Sequence, residues 1–323
     1  MLRWAVATAL ACLLGCAADD AMTMDDDGMV DDGPFVQPGA DDPTARQWVK
    51  AGSWYPEDHL ELDTAVEDLL AEVDAEPRRA IAITPPHASL RFSGPAAKEV
   101  WARTELPDTI LILAPDHWGD GEHAAVWTDG PWLVPGHAVE IDYDLTDRLQ
   151  QALPDLVADR EAFSHHETEM MLPYITTIHP DARIVAVALF DNEHREFPGF
   201  DLPRIEEWGR AIADLLRAEQ QAGRDVLLIG TTDLVHHETV ALSDEQDTAM
   251  MGFIATLDVG GFHDYVVDNE VTICGEIPTS IMMVALRELG VSGMEQLARD
   301  NSFHVTMDDA DVIGYPALAA WAE

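Results

Sequence analysis

The stretch "TILILAPDHWGDGEH", residues 109–123, decides the fold. Residues 110–114 are an apolar run without a polar break, and the run ends abruptly in Pro115, Asp116 and His117. A strand with one wet face would alternate apolar and polar residues. An unbroken run predicts a strand buried on both faces, as in a parallel sheet covered by helices. In such sheets ligands gather in the crevice beyond the carboxyl ends of the strands. The polar cluster after the run therefore predicts where the chemistry sits as well as the layer architecture.

The pattern repeats along the chain. "AIAIT" (80–84), "ARIVAVALF" (182–190) and "DVLLIGTTD" (225–233) read as buried strands, and "HAAVWT" (123–128) as a further one. Helices are expected between them. One spans 94–104 with Pro95 in its first turn. A second runs over 166–179, where Pro173 would kink or end it. A third, long and amphipathic, covers 202–223 and closes on Gly223. A fourth covers 243–258, capped by Ser243, and a fifth covers 278–290, from Pro278 to Gly290. "FHVTM" and "DVIGYPALAA" are expected to add edge or closing strands. Apolar strands alternating with helices define an α/β class, with a largely parallel or mixed central sheet flanked by helices.

Among 323 residues, 61 are Asp or Glu and 18 are Lys or Arg, a formal net charge of −43. That balance excludes nucleic acid as a partner, since phosphate neutralisation needs basic patches. Only two lysines occur, Lys50 and Lys98. The apolar fraction of 47% is enough for a full core. The part beyond residue 45 suits one large domain or two small ones.

Arg3, the apolar run 4–14 and "LLGC" at 13–16 resemble a bacterial lipoprotein signal. The run is too short to span a bilayer as a helix. Residues 1–16 are therefore expected to be a signal peptide, with lipid attached to Cys16 as the sole membrane contact. Ala17 at the next position points to the outer membrane by the enterobacterial sorting rule. The expected placement is an exported lipoprotein facing the periplasm or the surface. Residues 17–45, rich in Asp, Gly and Pro, are expected to be a disordered acidic tether, and 46–323 the folded domain.

The chemistry-bearing residues are unevenly placed. His87 follows the run 80–84. Asp116, His117 and His123 follow 109–113. Asp233, His236, His237 and Glu238 follow 225–230. His165, His166, Glu167 and Glu169 open the segment 166–179. Any one of these histidines is most simply a satisfied polar residue at a strand end, but their joint placement is hard to explain by packing. Cys274, in "VTICGEIP" (271–278), is the one cysteine beyond the signal-like segment and has no disulfide partner there. Two histidines from strand ends and this thiolate would make a three-ligand site with an open position. That donor set favours iron, copper or zinc over magnesium or calcium.

"AGSWYP" (51–56), "PPHASLRFSGPAA" (85–97), "LILAPDHWG" (111–119), "HHETEMMLPY" (165–174), "TTDLVHH" (231–237) and "TICG" (272–275) follow the order and spacing of the Memo-like family. Its bacterial and archaeal members are called AmmeMemoRadiSam system protein B. The resemblance covers about residues 46–318. It implies a fold like that of class III extradiol ring-cleaving dioxygenases, and a pocket of two histidines and one cysteine that binds iron or copper. Carried onto this chain, the metal ligands are His87, His117 and Cys274. His166 and His236 become the acid or base groups, with Asp233 and Glu169 as their orienting carboxylates. The chain departs from the family pattern at Ser89-Leu90, Asp116, Trp118, His165 and the Thr pair 231–232, which changes the pocket wall.

Three functions follow from this resemblance. The first is a non-haem metal-dependent oxidoreductase, dioxygenase-like, acting on an unnamed substrate. The second is a non-catalytic pocket that binds a peptide or small ligand. The third is metal handling at the cell surface by pocket and tether together.

Overall fold

Thr109–Asp116 is a strand buried at all eight residues, as its unbroken apolar run requires. The computed structural model describes residues 35–190 and 200–322. The expected signal peptide and the acidic segment as far as residue 34 lie outside them. Gln37–Glu323 makes a single unit. In chain order the strands are β1 Arg78–Thr84, β2 Thr104–Glu105, β3 Thr109–Asp116, β4 Ala124–Val126, β5 Trp132–Val134, β6 His137–Val139, β7 Val157–Ala158, β8 Arg183–Phe190, β9 Val226–Gly230, β10 Asp233–Glu238, β11 Ile273–Cys274, β12 Glu295–Asn301 and β13 Val312–Trp321. The helices are α1 His59–Ala71, α2 Leu90–Trp101, α3 Tyr143–Ala152, α4 Leu172–Ile178, α5 Leu202–Gln221, α6 Val240–Thr256, α7 Val259–Asp268, α8 Glu276–Glu288 and α9 Phe303–Thr306.

The main sheet runs β11-β10-β13-β1-β9-β3-β8-β4-β7, with β12 on β13 and β2 on β1; β5 and β6 form a separate hairpin. Its middle, β1-β9-β3-β8, is parallel. The flanks are antiparallel, with β13 against β1 and β4 against β8. Side chains alternate across the pleat. Leu111, Leu113, Val185 and Leu228 enter one core with Trp208 of α5 and Val284 of α8. Ile110, Ile112, Ala186 and Ile229 enter the other, with Trp101 of α2 and Tyr174 of α4, whose rings stack at 5.2 Å. Gly209 lets α5 and α8 approach closely: a Cβ there would lie 2.4 Å from Val284 Cβ.

Several expectations move. The folded unit begins at residue 37 and not at 46, because the Gln37 amide donates to the carbonyls of Val134 and His137 and accepts from Gly136 N. Residues 37–45 therefore belong to the folded body. α2 starts at Leu90, so Pro95 lies inside it, not in its first turn. The acceptor that Pro95 leaves unused is the carbonyl of Arg91, on an exposed residue. Pro173 neither kinks nor ends a helix. It opens α4, after a short 3-10 turn over Glu169–Met171. α6 is capped by Thr239, whose hydroxyl accepts from Leu242 N, and Ser243 sits within it, bound to Asp247.

The buried strand expected over 225–233 ends at Gly230, and Asp233–Glu238 is a separate strand, β10, with Leu234 and Val235 fully buried. β13 is not an edge strand: it lies between β10 and β1. The "FHVT" of the expected strand at 303–307 is the short helix α9. α1, α7 and β12 were not anticipated.

Candidate metal centre

The donors gather at the carboxyl edge of the parallel strands, where the topology leads. β1 ends and runs through Pro85 and Pro86 to His87. β3 ends at Asp116 and His117. β9 ends and leads through Thr231 and Thr232 into Asp233 and His236 of β10. Cys274 closes β11, which pairs antiparallel with β10 so that Cys274 lies opposite Asp233. A register shift between His236 and Glu238 leaves His237 as an extra residue at φ 60°, with its ring exposed. That bulge keeps His236 aimed inward.

His87 is 1% exposed, and its tautomer follows from its partners. The Thr231 hydroxyl donates its proton to the Pro85 carbonyl at 2.8 Å, so toward His87 Nδ1, 2.9 Å away, it can only accept. Nδ1 therefore carries the hydrogen, and Nε2 presents its lone pair. Nε2 points at Cys274 Sγ, 3.3 Å away, and His236 Nε2 lies 3.5 Å from the same sulfur. The loop at His87 is fixed by Asp233 Oδ1, which accepts from His87 N at 2.9 Å. Gly275 after Cys274 has φ 110°, and a Cβ there would meet Thr231 O and Thr232 Cβ at 2.7 Å. Only glycine permits this approach.

Burial, reinforced by His117, His166 and His236, holds His87 well below the ordinary imidazole range. Burial, then His117 and nearby cations, takes His166 down to about 2. Both rings are neutral, the form that binds metal. Burial lifts Asp233 to about 6 against the opposing pull of His236, and lifts Glu167 to about 8.

Ligand atoms of His87, His117 and Cys274 lie within 4.8 Å of one another, as do those of Asp233, His236 and Cys274, and those of His117, His166 and Glu167. A tetrahedral ion at about 2.1 Å from nitrogen and about 2.3 Å from sulfur spaces its ligands by about 3.4–3.6 Å. The 3.3 Å from His87 to Cys274 is close to that spacing, as is the 3.5 Å from Cys274 to His236, which was not among the expected ligands, and His117 lies within 4.8 Å of His87 and Cys274, so the residues fit a metal ion. The three expected ligands are thus brought together, with Asp233, His236 and His166 around them.

Glu169 is placed elsewhere. Its carboxylate is taken up by Arg46, by the backbone amides of Val49 and Lys50, and by the Tyr55 hydroxyl at 2.6 Å. It anchors the segment 46–55 and does not face the donors. Glu167, two residues earlier, does face them. Oε1 of Glu167 is 3.6 Å from His117 Nε2 and 3.7 Å from His166 Nδ1. Sequence reasoning grouped Glu167 with its neighbours and gave it no role. The signal was available: Glu167 directly follows His165 and His166 in a segment dense in donor side chains. His123 packs on Phe190 and His237 binds Asp311, so neither joins the cluster.

At the opposite edge of the sheet a groove of about 800 Å³ is lined by residues such as Arg79, Arg224, Glu295 and Trp321, and by none of the donors.

Fold and site together define an α/β protein with a metal-competent pocket at the carboxyl edge of its sheet. A family model described as Memo-like protein matches residues 46–319, and the chain belongs to that family. It is similar to a MEMO1 family protein of Methanopyrus kandleri, 31% identical over 282 residues, 83% of this chain and 96% of that protein. A MEMO1 family protein of Methanosarcina barkeri is 28% identical over 274 residues, covering 84% of this chain and 98% of its own length. One from Aquifex aeolicus is 25% identical, also over 274 residues.

Proposed function

We propose that the chain is a metal-dependent oxidoreductase of dioxygenase-like type that holds iron or copper through His87, His117 and Cys274. The observation that carries this reading is the His87 tautomer: the Thr231 hydroxyl donates its proton to Pro85, and the lone pair of His87 Nε2 is aimed at the Cys274 sulfur. Two imidazoles and a thiolate select a transition metal over magnesium or calcium. Such an ion would supply electron transfer and Lewis-acid polarisation when bound by these residues.

The chain's own residues do the rest. Asp233 fixes the His87 loop through its backbone amide and sits beside His236. His236 and His166 are the groups that accept or deliver a proton at the pocket wall. The Trp54 ring packs on His166 at 4.3 Å and limits water there. Glu169 supports this wall by positioning, through the segment 46–55.

Metal analysis of untagged protein tests the reading. About one iron or copper per chain is expected at the thiolate set, with a thiolate-to-metal charge-transfer band that is lost in Cys274→Ser and lost or strongly weakened in His87→Ala, and with oxygen uptake when a substrate is supplied. Protein that carries no transition metal after loading, or whose metal shows no thiolate band in wild type, overturns it. Stoichiometric metal with tight ligand binding but no product would select the pocket-protein reading instead.

Export rests on the signal-like segment 1–16. Under this reading a fatty-acid label is incorporated in the bacterium and lost in Cys16→Ser. A wild-type chain that takes up no label removes the anchor from the proposal, and with it the surface-metal role of the acidic segment.

A further inference from the structure

Glu167 is a buried carboxylate of the pocket whose placement the proposed function leaves unexplained. It is 5% exposed, and among the described residues Oε1 has no hydrogen-bond partner. A buried carboxylate oxygen without a partner is costly and calls for a ligand or an ion. Facing Oε1 are His117 Nε2 at 3.6 Å and His166 Nδ1 at 3.7 Å. Both separations are too long for a hydrogen bond. They are close to the spacing of about 3.4 Å between nitrogen and oxygen ligands of one tetrahedral ion. The three ligand atoms lie within 4.8 Å of one another, and the cluster stays reachable because the His117 side chain is 19% exposed.

We propose that His117, His166 and Glu167 form a second metal position, beside the thiolate position and sharing His117 with it. Two imidazoles and one carboxylate make a harder donor set than two imidazoles and a thiolate. It suits divalent iron, manganese, cobalt or zinc, whereas the thiolate set draws softer ions. The pocket therefore presents two positions of different softness, and the ion supplied decides which is filled. The sequence singled out this segment, and the expected use of Glu169 does not absorb Glu167.

The position shares only His117 with the thiolate set and needs neither His87 nor Cys274, so the two can fail separately. The test is a cobalt(II) titration of the full untagged chain and of Cys274→Ser, followed by absorption. Wild type should show thiolate-to-cobalt charge transfer, which reports the first position. Cys274→Ser should lose that band and still bind one equivalent of cobalt with ligand-field absorption. Adding Glu167→Gln to Cys274→Ser should weaken that residual binding at least tenfold, and Glu167→Ser or His166→Gln in the same background should do the same. Near-ultraviolet circular dichroism of each variant checks the fold, and three different substitutions guard against one that unfolds. The proposal is overturned if Cys274→Ser binds no cobalt, or if folded Glu167 and His166 variants in that background bind it as tightly as Cys274→Ser does.

Discussion

Glu169→Ala should unfold this protein more readily, and the size of the loss follows from the partners Glu169 leaves behind. Glu169 is fully buried, and Arg46 is 4% exposed. Removing one member of a buried ion pair costs about 3–5 kcal/mol, because the other charge is left without compensation. Arg46 would keep the carbonyls of Gln47, Phe163 and His165. The amides of Val49 and Lys50 and the Tyr55 hydroxyl would lose their acceptor. Each orphaned donor costs about 1–3 kcal/mol where water cannot reach it. The loss should therefore sit at or above the upper end of the ion-pair range, about 5 kcal/mol. For a domain of this size about 1 kcal/mol moves the melting temperature by about 2 °C, so a fall of about 10 °C is expected. Urea unfolding with an unchanged m-value, and melting followed by near-ultraviolet circular dichroism, measure it. Arg46→Ala combined with Glu169→Ala should cost less than the two singles added, by up to about 3 kcal/mol, since the double variant buries no lone charge. A Glu169→Ala protein as stable as wild type, or strictly additive singles, would refute the assignment of Glu169 as an anchor.

Thr231→Val removes the hydroxyl that sets the His87 tautomer. Metal affinity should fall about 10–100-fold by chelator competition, with Thr231→Ser restoring it. Asp247 is pushed by burial to about 6 from 3.8, opposed by Val235 N, Ser243 and Arg299. Its folded value lies above its unfolded one, so its stabilising contribution is complete below pH 3.8 and lost as pH rises through about 6. About 3 kcal/mol of stability should disappear over that window. Asp247→Asn should flatten that part of the stability–pH curve, read by urea unfolding at a series of pH values. Gly209→Ala should cost about 1–3 kcal/mol in the same assay through overpacking between α5 and α8, and Val284→Ala should recover part of it.

The parts of this molecule that announce themselves in sequence are those where one physical demand dominates. β3, β8 and β9 are buried on both faces, so between their end residues they are apolar at every position. Gly223 takes φ 78° where α5 ends, as its position after an amphipathic run implies. Because the parallel strands end in one place, the histidines after β1 and β3 had to meet. Legibility fails where two demands mix. β10 faces a core with Leu234 and Val235 and a polar pocket with Asp233 and His236, and so looks like a loop. β12, "EQLARDN", buries no residue fully. α6 buries Ser243, Gln246 and Asp247, which hides its inward face from any apolar count. Glu167 and Glu169 differ by what stands opposite each carboxylate. Arg46 is 123 residues from Glu169 in the chain, a pairing no local pattern encodes.

The position of β13 bears on how the protein comes into being. The strand that separates β1 from β10 is the last of the thirteen to be made. While the chain grows, the His87 and His236 segments have no common neighbour to align them, and β12 has no strand to lie on. The sheet cannot close by accretion from its amino end. It needs a long-range insertion into its own middle, the kind of step that slows folding. Until that insertion, the half-built sheet shows open edges on both sides of the gap, the state in which a nascent chain most needs a chaperone's cover.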